Sequence, residues 1–258
     1  MVKEQDNCSS QLYPLSKITF RTFCINLNMK NSVRLPSIDT HELAELVGTI
    51  LGDGSIGIYE CESKNKIKIQ YKFQITCHSE DDIEYLYYIK GLFKKLFDVE
   101  LHQSFRKNEK ACDLRIFRRE IITFFINSLS MDLAPKWNKS KIPHFYINSN
   151  FEVGVLRGYF DTDGSVVITN NNGTIYPRLE MKICPSPMQN QFIKILNNLG
   201  FKFGVYQIGN GEIRIQINGK NEFLKWVQKI GFRNPKHIIK VKKIAGTGIS
   251  EFQPLLNQ

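Results

Sequence analysis

With 258 residues, 42% of them hydrophobic and 23% charged, the chain can bury one large core or two fused smaller ones, and its net charge of +10 points to a polyanionic partner, nucleic acid first. No apolar run approaches the roughly 20 residues of a membrane span, and Met1 to Ser10 has no signal-peptide plan, so no membrane partner is expected. Six scattered cysteines and five histidines offer no short-spaced ligand set, which leaves a zinc site, a disulfide frame and a serine-hydrolase triad without an anchor and reads as reduced thiols.

Residues 1–36 share no pattern with the rest of the chain and are set apart as a leader, with Met29 an alternative start. A first unit, residues 37–148, opens at Asp39-Thr40-His41-Glu42, where capping residues and a first-turn acid announce a helix. That helix is apolar, ends in Asp53-Gly54-Ser55 and passes straight into a strand from Ile56 to Tyr59. From Lys66 to Thr76 the pattern alternates without error. Lys66, Lys68, Gln70, Lys72, Gln74 and Thr76 share one face, and Ile67, Ile69, Tyr71, Phe73 and Ile75 share the other, which is expected to be buried. A helix over 80–97, a hairpin over 99–106 and 112–117 that carries Arg115, a helix over 120–129 and a lysine-rich loop from Pro135 to Pro143 complete the unit.

The second unit, residues 149–245, replays this order. A helix beginning at Phe151 ends in Asp163-Gly164-Ser165, and a strand over 166–170 turns at Asn170-Asn171-Asn172-Gly173. The return strand sets Thr174, Tyr176, Arg178, Glu180 and Lys182 against Ile175, Pro177, Leu179, Met181 and Ile183. A helix over 187–199, a hairpin over 203–208 and 212–218 with Arg214 and Gln216, and a helix over 220–230 come next. A basic run from Arg233 to Lys243 and a tail, residues 246–258, end the chain. The expected fold is α+β: two pseudo-symmetric αββαββα units, produced by internal duplication.

The stretch that the units share carries the chemistry. Leu46-Val47-Gly48-Thr49-Ile50-Leu51-Gly52-Asp53-Gly54-Ser55 returns as Leu156-Arg157-Gly158-Tyr159-Phe160-Asp161-Thr162-Asp163-Gly164-Ser165. A glycine after a helix is an ordinary stop, but an aspartate before it lies at the negative end of the helix dipole, where a carboxylate is unfavourable. Gly48 and Gly52, like Gly158 and Thr162, are four apart on one helical face, so two such helices can meet closely and bring Asp53 and Asp163 together. Carboxylates that close do not both ionise unless a cation offsets their repulsion. Oxygen ligands without cysteine or histidine suit Mg²⁺ or Mn²⁺, which beside a phosphodiester activates water and neutralises the leaving oxygen.

These two stretches resemble the LAGLIDADG (dodecapeptide) motifs of homing endonucleases, in the single-chain, two-motif form. The first keeps Leu46, Gly48, Ile50, Asp53 and Gly54; the second keeps Leu156, Gly158, Asp161, Asp163 and Gly164, and the likeness in element order runs from Ser37 to Lys243. The resemblance implies a monomer that acts as a pseudo-dimer, with the motif helices at its interface and two sheets forming a saddle on double-stranded DNA. It also implies metal-dependent hydrolysis of both strands at a long site, leaving short 3′ overhangs. By resemblance, Asp53 and Asp163 bind the metal, with Gly52 and Thr162 beside them, and Leu51 replaces an inner acid that is not a ligand in the family. A catalytic lysine is expected at Lys139, then Lys136, in the first unit and at Lys236 in the second; each reads equally well as a phosphate-positioning or solvated lysine. A polar position at the end of the second strand falls to Cys77 and Cys184. Groove contacts are expected from Lys66, Lys68, Gln70, Lys72, Gln74, Arg115, Arg178, Glu180, Lys182, Arg214 and Gln216.

Rival readings are an intron maturase that binds RNA, a DNA-binding derivative that no longer cuts, and the nuclease part of an intein. Both motif acids are present, which favours cleavage, although maturases also retain them. Splicing needs an amino-terminal nucleophile and a terminal His-Asn; Met1 and Leu256-Asn257-Gln258 supply neither, so a free-standing enzyme of the cytoplasm or an organelle is expected. A protein whose acids merely cap helices is disfavoured by the dipole conflict.

Overall fold

A computed structural model describes residues 33–63, 66–172 and 174–245; most of the expected leader and the whole tail lie outside the described residues. The first unit runs α1 (His41–Gly52), β1 (Gly54–Ser63), β2 (Lys66–His78), α2 (Ile83–Phe97), β3 (His102–Phe105), β4 (Ala111–Ile116) and α3 (Arg119–Asn127). The second runs α4 (Glu152–Asp163), β5 (Gly164–Asn171), β6 (Thr174–Ile183), α5 (Met188–Asn198), β7 (Gly204–Gln207), β8 (Ile213–Asn218), α6 (Lys220–Lys229) and α7 (Pro235–Ala245). Each unit holds one antiparallel four-stranded sheet, ordered β1-β2-β4-β3 and β5-β6-β8-β7, so the fold is α+β with two pseudo-symmetric halves.

The halves meet through α1 and α4. Thr40 starts α1 as expected, its Oγ1 accepting from the Leu43 N–H at 3.2 Å, and every residue of that helix from Leu43 to Gly52 is buried. A side chain at Gly48 would put its Cβ 2.1 Å from Val155 O, and one at Gly158 would put it 2.0 Å from Glu45 O. The glycines are therefore needed for backbone-to-backbone packing, not for turn freedom. A charged cluster secures this apolar contact: Arg157 Nε donates to Glu45 Oε2 at 2.9 Å, and the Tyr88 hydroxyl donates to Glu45 Oε1 at 2.5 Å.

Each sheet packs its inner face on helices of its own unit. Phe73 of β2 meets Phe93 and Phe125 at ring separations of 5.1 and 5.8 Å in the first; in the second, Leu179, Met181, Ile215 and Ile217 of β6 and β8 are buried in the core, where Trp226 of α6 meets Phe160 of α4 at 4.8 Å.

Three features depart from the expectations. Ile67 and Ile69 are 73% and 48% exposed while Phe73 and Ile75 are fully buried, because β1 and β2 run out past the core layer, which ends near Tyr71. The basic run after α6 is a helix, α7, whose N-cap Asn234 accepts from the Lys236 N–H at 3.1 Å and whose Val241 and Ile244 are buried. Cys77, Cys112 and Cys184 are free thiols as expected, but Cys61 is disulfide-bonded, a pairing that scattered spacing could not signal.

Candidate active site at the motif helix ends

The crossing of α1 and α4 places the ends of both helices, and with them Asp53 and Asp163, at the junction of the two units. Asp53 caps α1 and Asp163 is the last residue of α4; each leads directly into the edge strand of its own sheet. The approach is tight here too: a Cβ on Gly52 would fall 1.9 Å from Thr162 Oγ1 and 3.4 Å from Asp163 Oδ2. The Thr162 hydroxyl is turned back on its own helix, donating to Tyr159 O at 2.8 Å, which leaves its main chain as the part available to a ligand.

The electrostatics match a pair held in deficit of positive charge. Burial and the neighbouring Asp163 charge push the Asp53 carboxyl up to about 7, against the pull of Lys136 and Lys236. Burial likewise raises Asp163, opposed by the same two lysines. Each carboxylate also lies at the negative end of a helix dipole. Two neighbouring acids, Asp53 half-buried and Asp163 open to solvent, with helix-end carbonyls beside them, form an oxygen-rich and electron-rich place that a hard divalent cation fits and can reach. No cluster of three or more His, Cys, Asp or Glu side chains that could hold a metal ion occurs among the described residues.

The lysines sit crosswise. Lys136, from the first unit, donates to Leu51 O at 2.9 Å and lines a cavity of 320 Å³ together with Trp137, Tyr159, Asp163, Lys182 and Cys184 of both units. Burial lowers its pKa, and Asp163, then Asp53, oppose that. Lys236, from the second unit, lies 2.9 Å from Asp82 Oδ1 of the first, and Cys77 shares the neighbourhood of Asp53, Asp82 and Lys236. Burial and these acids raise the Cys77 thiol, which stays protonated. Lys139 is exposed and is not among the charges that act on Asp53 or Asp163, so of the loop lysines the structure brings Lys136 to the aspartates and leaves Lys139 outside. The loop folds back on itself, Ser140 N–H to Lys136 O at 3.0 Å, and straps onto the second unit through Asn138 N–H to Pro185 O at 2.6 Å.

Asn234 is the counterpart that the sequence did not single out. It is fully buried and donates to Asp161 O at 2.9 Å, the position matching Leu51. Asp161 itself is pushed up to about 7 by burial, and its Oδ2 accepts from the Arg233 N–H at 2.8 Å. The Asn-Pro pair ahead of α7 was the available signal.

On the sheet faces the expected contact residues form two organised networks. In the first, buried Asp113 accepts from Thr76 Oγ1 at 2.6 Å, Gln74 Nε2 at 3.0 Å and Arg106 Nε at 2.9 Å, and it also pairs with Arg115. Burial would raise this acid, but the Arg106 and Thr76 hydrogen bonds and the Arg115 charge hold it down at about 2. In the second, Glu180 accepts from Arg178 Nε at 2.6 Å and Gln216 Nε2 at 3.0 Å, with Arg214 3.9 Å away. Lys182 pairs with Glu212 at 2.8 Å. Lys68 is exposed, Gln70 and Lys72 are half-buried, and the Lys66 side chain lies outside the described residues.

A duplicated α+β chain with one carboxylate from each of two glycine-packed helices defines a two-motif protein of one architecture. The family descriptions agree: "LAGLIDADG endonuclease" matches residues 46–134 and "LAGLIDADG-like domain" matches residues 150–231. The chain belongs to the LAGLIDADG family, in the single-chain form with two motifs.

Among curated proteins it is similar to a DNA polymerase of Methanocaldococcus jannaschii, 26% identical over 73% of this chain but only 11% of the polymerase. It is also similar to the glutamine–fructose-6-phosphate aminotransferase of that organism, 24% identical over 85% of this chain and 19% of the relative, and to an uncharacterised protein of the same source, 22% identical over 74% and 66%. Among solved structures, I-DmoI in complex with DNA and Mn shares 21% identity at a TM-score of 0.53, covering 74% of this chain and 96% of that one. The I-LtrWI LAGLIDADG homing endonuclease bound to target DNA shares 14% at a TM-score of 0.55, covering 84% and 96%. At these identities the likeness establishes the fold.

Proposed function

We propose that this chain is a site-specific endonuclease that hydrolyses both strands of double-stranded DNA with the help of divalent metal ions, Mg²⁺ or Mn²⁺. The observation that carries the reading is the pair Asp53 and Asp163, one half-buried and one exposed, that the two motif helices bring together from the two halves where nothing structural requires an acid. Solved relatives support the metal: I-DmoI structures have been obtained with DNA and Mn, Mg or Ca. The curated relatives support a separable module, since most of this chain resembles a minor part, 11% and 19%, of a polymerase and of an aminotransferase.

In this reading Asp53 and Asp163, with the main chain at Gly52 and Thr162, hold the metal ions. When bound, such ions lower the pKa of water and offset charge on the leaving oxygen. Lys136 and Lys236 place positive charge beside the scissile phosphates, one from each half across the junction. The half-sites, 37–148 and 149–245, then read DNA through their sheets as one polypeptide. Asp113 and Glu180 hold the guanidinium groups of Arg106, Arg115 and Arg178 in fixed orientations, which suits base edges better than mobile cations do. Lys68 and Lys72 are left to the phosphates.

The reading is tested with a library of random-sequence duplex DNA incubated with the protein in Mg²⁺, cleaved molecules being captured and sequenced. Recovery of one long shared sequence cut on both strands is expected. Selective binding of a duplex that is never cut would instead make the chain a DNA-binding derivative, and binding of RNA alone would make it a maturase.

A further inference from the structure

Asp82 occupies the N-cap of α2, yet its side chain makes no capping bond to its own helix. The carboxylate, 6% exposed, turns instead to the second unit. Its Oδ1 accepts from Asn234 Nδ2 at 2.7 Å and lies 2.9 Å from Lys236 Nζ, while Oδ2 accepts from the His78 N–H at 3.2 Å. An aspartate at this position normally satisfies first-turn N–H groups, so its use elsewhere marks a competing demand.

That demand has no match on the other side of the junction. Lys136 is fixed by the carbonyls of Leu51 and Ile50, at 2.9 and 3.4 Å, which belong to the rigid end of α1. Lys236 stands in the first turn of α7 on a four-carbon stem with many rotamers. The three contacts of Asp82 with His78, Asn234 and Lys236 hold that stem at one place beside Asp53.

We infer that Asp82 is a positioning residue supplied by the first unit to the second unit's Lys236, and that it governs the cutting of one DNA strand and not of both. The inference rests on the endonuclease reading above. It makes the two halves unequal in a way the repeated motif does not suggest: one lysine is aligned by helix carbonyls, the other by a carboxylate that crosses the junction.

The experiment uses a supercoiled plasmid carrying the duplex that the wild-type protein cuts in Mg²⁺, with products followed as open circle and linear form and each cut strand identified by end-labelling. Asp82→Asn, which keeps the shape and removes the charge, should slow one strand by about ten- to a hundredfold, the equivalent of one charge-assisted hydrogen bond. The other strand should be cut at the wild-type rate, so open circle accumulates. Asp82→Ser, a good helix N-cap without charge, should show the same selectivity and covers the case in which Asp82→Asn fails to fold. In a Lys236→Met background, Asp82→Asn should add nothing further. Equal slowing of both strands, no slowing of either, or full additivity with Lys236→Met would overturn the positioning role. If the wild-type protein cuts no duplex at all, the endonuclease reading has failed, and this inference with it.

Discussion

Substituting Gly158 by alanine tests whether the close crossing of α1 and α4 organises the molecule. The added Cβ would lie 2.0 Å from Glu45 O and 2.8 Å from Thr49 N, both main-chain atoms that no rotamer change can move. Relief from 2.0 Å to an ordinary contact of 3.4 Å requires the two helix backbones to part by about 1.4 Å. Two effects oppose each other. Alanine favours helix over glycine by about 1 kcal/mol, whereas overpacking a filled site costs about 1–3 kcal/mol and reaches the upper end when backbone must move. The clash wins, leaving a net loss of about 1–2 kcal/mol, or a fall in melting temperature of about 2–8 °C for a chain of this size.

Gly91 provides the control. It lies within α2, and an added Cβ there has nothing within 4 Å, so Gly91→Ala should raise the melting temperature by about 1–4 °C. Thermal unfolding followed by circular dichroism measures both. Gly158→Ala melting at or above the wild type, with Gly91→Ala behaving as stated, would refute the interface. Because parting the helices also moves Asp53 away from Asp163, cleavage by Gly158→Ala should fall more than tenfold at temperatures where it remains folded.

Further outcomes stem from the site's charges. The Asp53 carboxyl titrates at about 7 in the fold, above its ordinary 3.8, so the fold binds more protons than the unfolded chain between these values. Metal-free stability should therefore fall as pH rises from about 4 to 7, and Asp53→Asn should flatten that slope and melt higher than wild type at pH 8 in EDTA. Adding Mg²⁺ at pH 8 should raise the wild-type melting temperature but leave Asp53→Asn nearly unchanged, as a thermal titration would show. Asp113→Asn should relax base selectivity at positions read by Arg106 and Arg115; the freed cations should also steepen the dependence of binding on salt, measured by fluorescence anisotropy across salt concentrations.

The motif helices were legible because their apolar runs, glycines and terminal aspartates are local signals, and their recurrence made the pseudo-symmetry legible too. Gly48 and Gly158 were singled out by spacing alone, and their contacts with Val155 and Glu45 are main-chain ones. The alternation in β2 was also plain, but a period of two says which residues share a face and not where the underlying layer stops, so Ile67 and Ile69 turned out exposed. The helix α7 was hidden by its charge, although Asn234-Pro235 and the spacing of Val241 and Ile244 held the signal. Which loop lysine approaches Asp163 depends on how the chain folds back between Lys136 and Ser140, a matter of three-dimensional path. Asp113 and Asp82 were unreadable for the same reason: their partners come from other strands or from the other unit.

The central claim is that one aspartate from each motif helix jointly holds the metal that cuts DNA. It is tested most directly by strand-resolved cleavage of the selected duplex by wild type, Asp53→Asn and Asp163→Asn, each in Mg²⁺ and in EDTA. Linear product from the wild type in Mg²⁺ alone, with each variant still binding the duplex but slowed by at least about a thousandfold, is the predicted result. Cleavage in EDTA, or near-wild-type cutting by either variant, would contradict it.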